Sequence, residues 1–337
     1  MNILVTGGLG FIGSHTVVAL QEKGYKVVII DNLSNSSIDV LDGIIKITGI
    51  RPDFEQMDLR EKSKVIDFFK SYQIDGIIHF AASKAVGESV EKPLLYYENN
   101  INTLVYILQQ MQERNIRNFI FSSSCTVYGE PDELPITEKA PVKPALSPYG
   151  NTKQIGEEII SDTAKAYPDF KAIALRYFNP IGAHPSAHIG ELPLGVPQNL
   201  IPFITQTAAG IRKQLSVFGD DYPTPDGTAI RDYIHVVDLA QSHVVALERL
   251  LKNQNKQNFE IFNIGTGRGS SVMEIIKAFE KVNRLKLNYK IVERRPGDVT
   301  AVWADTRLAE TELGWKARLT MEDALRDAWK WQQKLSK

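Results

Sequence analysis

The sequence predicts an α/β protein built on a doubly wound parallel sheet, with a second, smaller α/β domain. Three observations carry this prediction. Apolar strands alternate with helical segments from the first residue, a glycine-rich turn joins the first strand to the first helix, and proline and glycine become dense after Phe178. Parallel sheets that are covered by helices on both faces produce such an alternation.

Short apolar runs with strand character recur along the first half of the chain. They are residues 2–6, 26–31, 53–58, 75–81, 117–124 and 171–178. Segments of helical period separate them, starting with 11–24. In such a fold ligands bind beyond the carboxyl ends of the strands, so the residues that follow each strand are the first candidates for a site.

The second half of the chain is less regular. Residues 179–199 are rich in proline and glycine and predict a long, functional loop. The helix 235–251 and the strand 259–265 form one more helix–strand unit, which we expect to return to the large sheet. The predicted division is therefore discontinuous in sequence. The larger domain comprises 1–178 and 235–265, and the smaller domain comprises 179–234 and 266–337.

Composition argues against several classes of function. The 337 residues include 43% hydrophobic and 23% charged side chains, as in an ordinary globular protein. A net charge of −1 gives no electrostatic reason to bind nucleic acid or a membrane surface. No apolar run reaches the roughly 20 residues of a membrane span, and the first residues resemble a strand, not a signal peptide. The single cysteine, Cys125, fits a reducing cytoplasm, where we expect the protein to act.

The turn after the first strand is the first functional motif. In TGGLGFIG, Gly8, Gly10 and Gly13 satisfy G-x-G-x-x-G, and Gly7, Gly10 and Gly13 satisfy G-x-x-G-x-x-G. Without side chains the backbone can turn tightly and approach a pyrophosphate, whose charge meets the N-terminus of the following helix. A glycine turn can also be a plain strand–helix connection. Its place between a strand and a helix favours a dinucleotide site.

An acidic residue ends each of the next two strands. Asp31 lies 18 residues after Gly13, where a carboxylate accepts hydrogen bonds from ribose hydroxyls and repels a 2′-phosphate. No arginine occurs in residues 31–37 to bind that phosphate, so the sequence favours NAD over NADP. Asp58 is a candidate for the adenine amino group, with an ordinary surface acid as the alternative. The absence of G-x-x-x-x-G-K-[ST] argues against a phosphate-hydrolysing enzyme.

The stretch SPYGNTK carries the candidate chemistry. Ser147 is a preferred N-cap and Pro148 a preferred first helical residue, and Tyr149 and Lys153 then share one face of the helix. Bringing the pKa of a tyrosine from near 10 to near 7 takes about 4 kcal/mol. An ammonium about 4 Å away supplies up to about that much at an effective dielectric constant of about 20. By itself the pair is an ambiguous helical spacing.

Ser124 decides between these interpretations. It ends the strand 117–124 at the sheet edge, where its hydroxyl could orient a substrate alcohol toward Tyr149. A glycine-rich turn, a strand-end serine and Y-x-x-x-K, in this order and on these elements, form a specific combination.

Long stretches of the sequence carry a wider resemblance. They are LVTGGLGFIGSH, DNLSNS, HFAASKAVGESVEKP, FSSSCTVYG, SPYGNTK, RYFNPIGAHPSAHIGE, FGDDYPTPDGTAIRDYIHVVDLA and RRPGDVTAVWAD. Through them nearly the whole chain resembles the extended short-chain dehydrogenase/reductase superfamily and, within it, the UDP-glucose (UDP-galactose) 4-epimerase family. The resemblance implies a Rossmann domain that holds NAD tightly, a smaller domain that binds a UDP-sugar, and an isomerase of galactose metabolism.

The resemblance also implies a mechanism. Tyr149 removes the proton of the sugar 4-hydroxyl while C4 gives hydride to NAD⁺, and Ser124 positions that hydroxyl. The 4-keto sugar turns over and takes the hydride back on its other face, so NAD need never leave. The residues implied to contact NAD are Gly7, Gly10, Phe11, Ile12, Gly13, Asp31, Asn32, Asn35, Ser36, Asp58, Leu59, Phe80, Ala81, Lys84, Asn99, Tyr149, Lys153 and Phe178.

Such a reaction requires that the protein bind UDP tightly and leave the sugar free to turn over. Arg231 and Arg295 suit the diphosphate as forked cations, with solvated surface arginines as the alternative. Asp298 is expected at a ribose hydroxyl. The residues implied to contact substrate are Ser124, Tyr149, Asn179, Asn199, Leu200, Phe218, Arg231, Tyr233, Arg295, Asp298 and Val302.

Two departures from related sequences refine the expectation. In nucleotide-sugar dehydratases an Asp–Glu pair follows the serine, whereas Cys125 and Thr126 stand here, so dehydration lacks its acid and base. Val302 occupies a position where some family members carry a tyrosine that walls the sugar pocket. Unless neighbouring side chains refill the space, UDP-GlcNAc and UDP-GalNAc are expected to fit as well.

Other features have simpler explanations. His184 and His188 lie among prolines and glycines without a third ligand in the pattern, so no metal site is expected. The apolar stripe of helix 93–113 is first of all core packing. In the superfamily this helix and the one that starts near Ser147 commonly form a dimer interface, so the resemblance implies a homodimer.

Two alternatives remain open at this point. One is a nucleotide-sugar dehydrogenase or reductase that exchanges its NAD, which retention of NAD through purification would distinguish. The other, from a different class, is an NAD-binding regulatory sensor. A sensor has no need of Ser124, Tyr149 and Lys153 together, which argues against it.

Overall fold

The structure is a computed structural model of the chain, and it describes residues 1–295 and 298–336. In chain order the strands are β1 (Asn2–Thr6), β2 (Lys26–Asp31), β3 (Asp53–Gln56), β4 (Gly76–His79), β5 (Asn118–Ser124), β6 (Lys171–Tyr177), β7 (Asn179–Ile181), β8 (Leu215–Phe218), β9 (Ile230–Arg231), β10 (Tyr233–His235), β11 (Phe259–Ile264), β12 (Ser270–Ser271), β13 (Tyr289–Val292) and β14 (Ala301–Val302).

The α-helices are α1 (Phe11–Glu22), α2 (Asp39–Thr48), α3 (Lys62–Ser71), α4 (Val86–Glu91), α5 (Pro93–Glu113), α6 (Pro148–Ala166), α7 (Leu200–Ala208), α8 (Val236–Leu251), α9 (Val272–Asn283) and α10 (Met321–Leu335). A 3₁₀-helix spans Cys125–Tyr128 and a π-helical turn spans Ala309–Leu313. In the part of the chain that the structure describes, no helix has both the length and the apolar character needed to cross a membrane.

Within the described residues, seven strands form one sheet in the order β11-β6-β5-β4-β1-β2-β3, and every neighbouring pair is parallel. From β1 the chain winds to β2 and β3 on one side, and from β4 through β5 and β6 on the other. The crevice between the ends of β1 and β4 is therefore the switch point at which ligands bind in such folds. β11 pairs with β6, so the unit 235–265 returns to the large sheet as the sequence predicts.

Alternate residues of the strands are buried against helices on opposite faces of the sheet. In β1, Ile3 and Val5 pack in a core with residues of α1, α2 and α8, whereas Leu4 packs with residues of α3, α5 and α6. The side-chain period of two along a strand produces this division. Both faces are covered, which explains why the strands appear as continuous apolar runs in the sequence. The predicted doubly wound Rossmann sheet is confirmed.

Two strands end earlier than the sequence predicts. β3 ends at Gln56 and β4 at His79, two residues before each predicted end. Residues 57–58 and 80–81 lie beyond the strands at the carboxyl edge of the sheet, although the amides of Met57 and Phe80 still donate to the carbonyl oxygens of Asp31 and Thr6. Apolar character continues past the strands because these residues still pack on the core.

The remaining elements assemble around a third core. β7 pairs with β10, β9 lies between β12 and β14, and β8 pairs with β13. Capping boxes start α9 (Ser271 with Glu274) and α10 (Thr320 with Asp323), and both helices bury one face in this core. These elements belong largely to the predicted smaller domain. The division of the chain into two domains stays a prediction.

Candidate active site

The glycine-rich turn between β1 and α1 approaches its neighbours so closely that side chains are excluded. Gly7 has a φ of +68°, and its amide donates to the carbonyl oxygen of Ile30 at 2.7 Å. A Cβ on Gly7 would lie 2.9 Å from the amide nitrogen of Ala81, and a Cβ on Gly13 only 2.2 Å from the Gly7 carbonyl oxygen. A Cβ on Gly8 would lie 2.8 Å from the Ile29 side chain, so the turn is closely packed at Gly7, Gly8 and Gly13.

Helix α1 presents a free N-terminus to this crevice. Gly10, in the N-cap position, has an extended backbone and no side chain to cap the helix, and the first turn contains no acidic residue. The amides of Phe11, Ile12 and Gly13 have no acceptor within the helix, because they belong to its first turn. This positive helix end suits a pyrophosphate.

Asp31 is buried at the end of β2 and organises the loop that follows. Its Oδ2 accepts a hydrogen bond from the amide of Leu9 at 3.1 Å. Its Oδ1 accepts from the amide of Leu33 at 2.9 Å and from the Ser36 hydroxyl at 2.8 Å. The carboxylate thus joins the glycine turn to the loop after β2, where a ribose would lie.

Asp58 and Leu59 follow β3 on the same edge of the sheet. The Arg60 guanidinium lies 2.7 Å from Asp58 and lowers the pKa of its carboxyl. The Asn32 amide also donates to this carboxylate, at 3.3 Å. Asp58 is therefore held ionised as an acceptor at the far end of the crevice.

The cofactor candidates share one location, the carboxyl edge of the large sheet. The candidates not yet described are Phe80, Ala81 and exposed Lys84 after β4, Asn99 on α5, Phe178 after β6, and exposed Asn35 after β2. The Asn99 amide donates to the hydroxyl of Ser83, which ties α5 to the loop after β4. These candidates thus follow neighbouring strands from β3 to β6 at one edge of the sheet.

Helix α6 begins as its sequence predicts. The Ser147 hydroxyl accepts a hydrogen bond from the amide of Gly150 at 3.1 Å, and Pro148 is the first helical residue. The Lys153 ammonium lies 5.8 Å from the centroid of the Tyr149 ring. It donates to the main-chain oxygen of Ser122 at 2.7 Å. The helix therefore places both side chains against the end of β5.

Ser124 ends β5, and its hydroxyl acts to lower the pKa of Tyr149. Burial nevertheless dominates and raises the pKa of Tyr149 to about 12, because it removes water from the phenolate. Burial also lowers the pKa of Lys153, to about 8. Burial thus opposes the lowered tyrosine pKa that proton transfer at neutral pH requires. The Lys153 ammonium is held by the Ser122 carbonyl.

The predicted UDP-binding cations lie together. Arg295 donates to Asp298 at 2.8 Å, and Arg231 lies 3.5 Å from the same carboxylate. The Arg295 guanidinium is also 5.8 Å above the centroid of the Phe218 ring, a side chain that is 44% exposed. Val302 pairs in register with Arg231 between β14 and β9. One patch thus combines two forked cations with an exposed aromatic face.

The other substrate candidates lie on elements next to this patch. Asn179 in β7 pairs in register with Tyr233 in β10. Asn199 and Leu200 stand at the start of α7, with Asn199 as its N-cap residue. The Asn199 side chain makes no cap and donates instead to Glu191 at 2.6 Å.

Sequence reasoning missed Glu191, which ends the RYFNPIGAHPSAHIGE stretch. Burial raises the pKa of its carboxyl, and the Lys84 ammonium and the Asn199 amide act in the opposite direction. The Trp331 indole donates to the Glu191 carbonyl oxygen at 2.9 Å. A Cβ on Gly190 would meet the same ring at 2.5 Å. Glu191 is therefore fixed between a cofactor candidate and a substrate candidate.

Sequence reasoning also missed Asp232, although it stands between two predicted substrate residues. This buried carboxylate accepts hydrogen bonds from the amide and hydroxyl of Thr266, at 2.9 and 2.6 Å. The amides of Gly267 and Ala304 donate to it as well, each at 3.2 Å. Asp232 thereby joins the segment between β9 and β10 to the segments that follow β11 and β14.

The two loop histidines are held by different partners. His184 Nδ1 lies 2.8 Å from the Ser186 hydroxyl, and His188 Nδ1 lies beside the Lys334 ammonium. Across residues 1–295 and 298–336, no three His, Cys, Asp or Glu side chains are grouped as metal ligands would be.

Comparison with known proteins agrees over the full chain. The family of GDP-mannose 4,6 dehydratase matches residues 4–328. The UDP-glucose 4-epimerase of Yersinia enterocolitica is 51% identical over 333 residues, which are 99% of this chain and 98% of that protein.

Solved structures are similarly close. A UDP-glucose-4-epimerase from Stenotrophomonas maltophila, with bound NAD and formylated UDP-arabinopyranose, has a TM-score of 0.95 and 48% identity, covering 100% of this chain and 99% of that one. The UDP-glucose 4-epimerase from Bifidobacterium longum in complex with NAD⁺ and UDP has a TM-score of 0.95 and 47% identity, covering 99% and 98%. The chain therefore belongs to the UDP-glucose 4-epimerase family within the extended short-chain dehydrogenases/reductases.

Proposed function

We propose that this protein is an NAD-dependent isomerase that interconverts UDP-glucose and UDP-galactose by epimerisation at C4. The observation that supports the proposal is that α6 brings Lys153 against the end of β5, the strand that ends at Ser124, with Tyr149 one turn earlier on the same helix. The relatives with NAD and UDP or a UDP-sugar bound support the same assignment.

The crevice fits NAD. A Cβ at Gly13 would collide with the Gly7 carbonyl, which leaves the backbone close enough for a pyrophosphate at the start of α1. Asp31 would accept the ribose hydroxyls. When bound, NAD⁺ supplies the hydride acceptor at the sugar C4, and its positive charge favours the Tyr149 phenolate.

Tyr149 is the proposed acid and base. Its phenolate takes the proton of the sugar 4-hydroxyl, and the resulting phenol later returns that proton to the 4-keto oxygen, while Ser124 orients the same oxygen by a hydrogen bond. The protonated Lys153, held by the Ser122 carbonyl, stabilises the phenolate. Because burial raises the pKa of Tyr149 to about 12, the phenol is the resting form and the phenolate depends on these positive charges.

The UDP moiety is held at the patch of Arg231, Arg295, Phe218 and Asp298. Both guanidiniums are paired with Asp298, so a diphosphate would share or replace that partner. Forked cations bind phosphate oxygens in two places at once. A firm hold on UDP leaves the 4-keto sugar free to turn over.

We also infer that UDP-GlcNAc and UDP-GalNAc are substrates. Val302 is buried in a small cluster with Phe178, and Cys125 and Val299 pack beside it. The valine side chain is shorter than the tyrosine ring that some family members carry at this position, and it leaves more of the proposed sugar pocket open. An acetamido group needs that space.

A homodimer through α5 and α6 is part of the proposal. The two helices are joined by a hydrogen bond from Asn151 to the Tyr97 hydroxyl at 2.8 Å, and Leu94 on α5 is 79% exposed. We place the enzyme in the cytoplasm, where its one thiol, Cys125, would stay reduced.

The deciding experiment measures conversion of UDP-galactose to UDP-glucose without added NAD. Wild-type protein is expected to turn over, and Tyr149→Phe is expected to lose activity by about 10²–10⁴-fold. Tyr167→Phe is a matched control, since Tyr167 is an exposed tyrosine at the C-terminal end of α6. Full activity of Tyr149→Phe would contradict the mechanism, and no turnover by wild type would contradict the proposed function.

A further inference from the structure

Three consecutive serines end β5, and each contacts a different part of the site. Ser122 accepts the Lys153 ammonium with its main-chain oxygen at 2.7 Å. Ser124 supplies the hydroxyl of the proposed site. The side chain of Ser123 points to the opposite face of the sheet, where its hydroxyl donates to Oε1 of Glu157. Glu157 lies one helical turn beyond Lys153 on the same stripe of α6.

The position of Glu157 is fixed by the pairing of two strands. Ser123 and Arg176 are register partners in β5 and β6, so their side chains emerge side by side beneath α6. Arg176 Nε donates to Oε1 of Glu157 at 2.9 Å, and a second guanidinium nitrogen contacts Oε2. The Arg176 and Glu157 side chains are only 4% and 9% exposed. Charged groups are tolerated at such burial only when their partners are in place.

Arg176 is held on its other side as well. Its guanidinium lies 4.7 Å from the centroid of the Tyr128 ring. The Tyr128 hydroxyl donates to the side-chain oxygen of Asn263 at 2.7 Å. The main-chain amide of Asn263 donates to the Glu138 carboxylate at 2.7 Å. Since Asn263 is the register partner of Arg176 in β11, the network crosses three neighbouring strands. The fold thus positions the pair from both sides.

The other titratable groups around Lys153 are neutral. Burial lowers the pKa of His79, which approaches from β4, to about 3, and it raises the pKa values of Tyr149 and Tyr177. Glu157, one helical turn from Lys153 on α6, is therefore the negative group of this neighbourhood, and Arg176 binds it from the other side. Glu157 raises the pKa of Lys153, against the larger effect of burial.

We propose that Glu157, held by Ser123 and Arg176, is a positioning residue that keeps the Lys153 ammonium, one turn away on α6, charged for its role at Tyr149. This inference rests on the proposed function, because Lys153 matters only if Tyr149 exchanges a proton. Glu157 acts through Lys153 and does not itself transfer a proton.

The test is the pH profile of kcat for UDP-galactose in the Glu157→Gln enzyme. Without the carboxylate, Lys153 loses its proton at lower pH. The fall of kcat on the alkaline side of the profile is therefore expected to occur about one pH unit lower than in wild type. KM is expected to stay within about twofold. Glu157→Asp keeps the negative charge, so kcat is expected to fall at a pH closer to the wild-type value than in Glu157→Gln.

A matched control removes another buried ion pair far from the site. Glu260 binds Arg249 at 2.7 and 2.9 Å, with side chains 9% and 10% exposed. Glu260→Gln is expected to lower stability without moving the pH profile. Equal profiles for wild type and the Glu157→Gln and Glu260→Gln variants would overturn the inference and assign Glu157 a purely structural role.

If Glu157→Gln does not fold, the Ser123→Ala variant tests whether Glu157 has a positioning role. It keeps both charges and removes one hydrogen bond, so kcat is expected to fall by about threefold with KM unchanged. Wild-type kcat in Ser123→Ala would then overturn the inference. Turnover of wild-type enzyme, measured in the same assay, tests the proposed function separately.

Discussion

The ammonium of Lys153 is bound by the main-chain oxygen of Ser122, at 2.7 Å, and not by a carboxylate side chain. A strand of the large sheet therefore positions the charge that a helix carries. Because the acceptor belongs to the backbone, the lysine would keep this anchor whatever side chain stood at position 122. The arrangement joins the end of β5 to the first turns of α6, which is where the proposed proton transfer takes place.

Replacing Gly13 with alanine tests the dinucleotide turn. The new Cβ would lie 2.2 Å from the Gly7 carbonyl oxygen, so the turn must open. We expect the free energy of unfolding to fall by about 1–3 kcal/mol and less NAD to be retained after purification. Gly87→Ala is the control, since its Cβ would meet nothing within 4 Å. Wild-type NAD content in Gly13→Ala would contradict the assignment.

Two adjacent arginines offer a matched test of the UDP patch. Arg295 is paired with Asp298 beside Arg231, whereas its neighbour Arg294 is paired with exposed Asp221. Lysine cannot reproduce a forked contact with a diphosphate. Arg295→Lys is therefore expected to raise KM for UDP-galactose by about tenfold, corresponding to about 1.4 kcal/mol. Arg294→Lys should leave KM within about twofold, and equal KM values for the two variants would rule out the specific role.

The width of the sugar pocket is tested at Val302. Wild-type enzyme is expected to convert UDP-GlcNAc as well as UDP-galactose. Val302→Tyr should lose the first activity by at least about tenfold and keep most of the second, because a ring would occupy the space of the acetamido group. Val302→Ile, which adds a single methylene, is the control. Absence of UDP-GlcNAc turnover by wild type would contradict the inferred substrate range.

Buried histidines predict an acid-sensitive fold. Burial lowers the pKa values of His15 and His79 to about 3 and that of His243 to about 4, from 6.5. The unfolded chain therefore binds protons below about pH 6.5 that the folded chain does not. The free energy of unfolding should fall as pH decreases from 7 toward 4, by up to about 1.4 kcal/mol per pH unit for each histidine.

Urea unfolding at several pH values between 7.5 and 5 checks this dependence. We expect a shallower pH slope for His243→Gln than for wild type, because one neutral buried imidazole is removed. His188→Gln serves as the control, since His188 lies at the surface beside Lys334. A stability that does not change with pH over this range would contradict the prediction.

The strands of the large sheet and the start of α6 were predictable because their signals are local. Apolar runs such as 26–31 follow from burial on both faces, and the cap at Ser147 acts on an amide only three residues away. The early ends of β3 and β4 were not predictable. Apolar character marks burial, and the residues just past these ends remain packed on the core after strand pairing stops.

Some residues of the candidate site could be predicted from local sequence patterns, and others could not. The glycine turn and the pair Tyr149 and Lys153 are visible as short spacings along the chain. Asp232 and the pair of Glu157 and Arg176 are not, because their partners come from distant segments that sheet register brings together. A long-range contact leaves no periodic trace in one sequence.

The sequence by itself determined the doubly wound architecture, the dinucleotide turn and the helical stripe that carries Tyr149 and Lys153, since neighbouring residues specify all three. Only the tertiary structure decided the pKa values of Tyr149 and Lys153. Burial raises the pKa of Tyr149 to about 12 and lowers that of Lys153 to about 8. Desolvation depends on everything that surrounds a charge, and those surroundings come from strands and helices far apart in the chain.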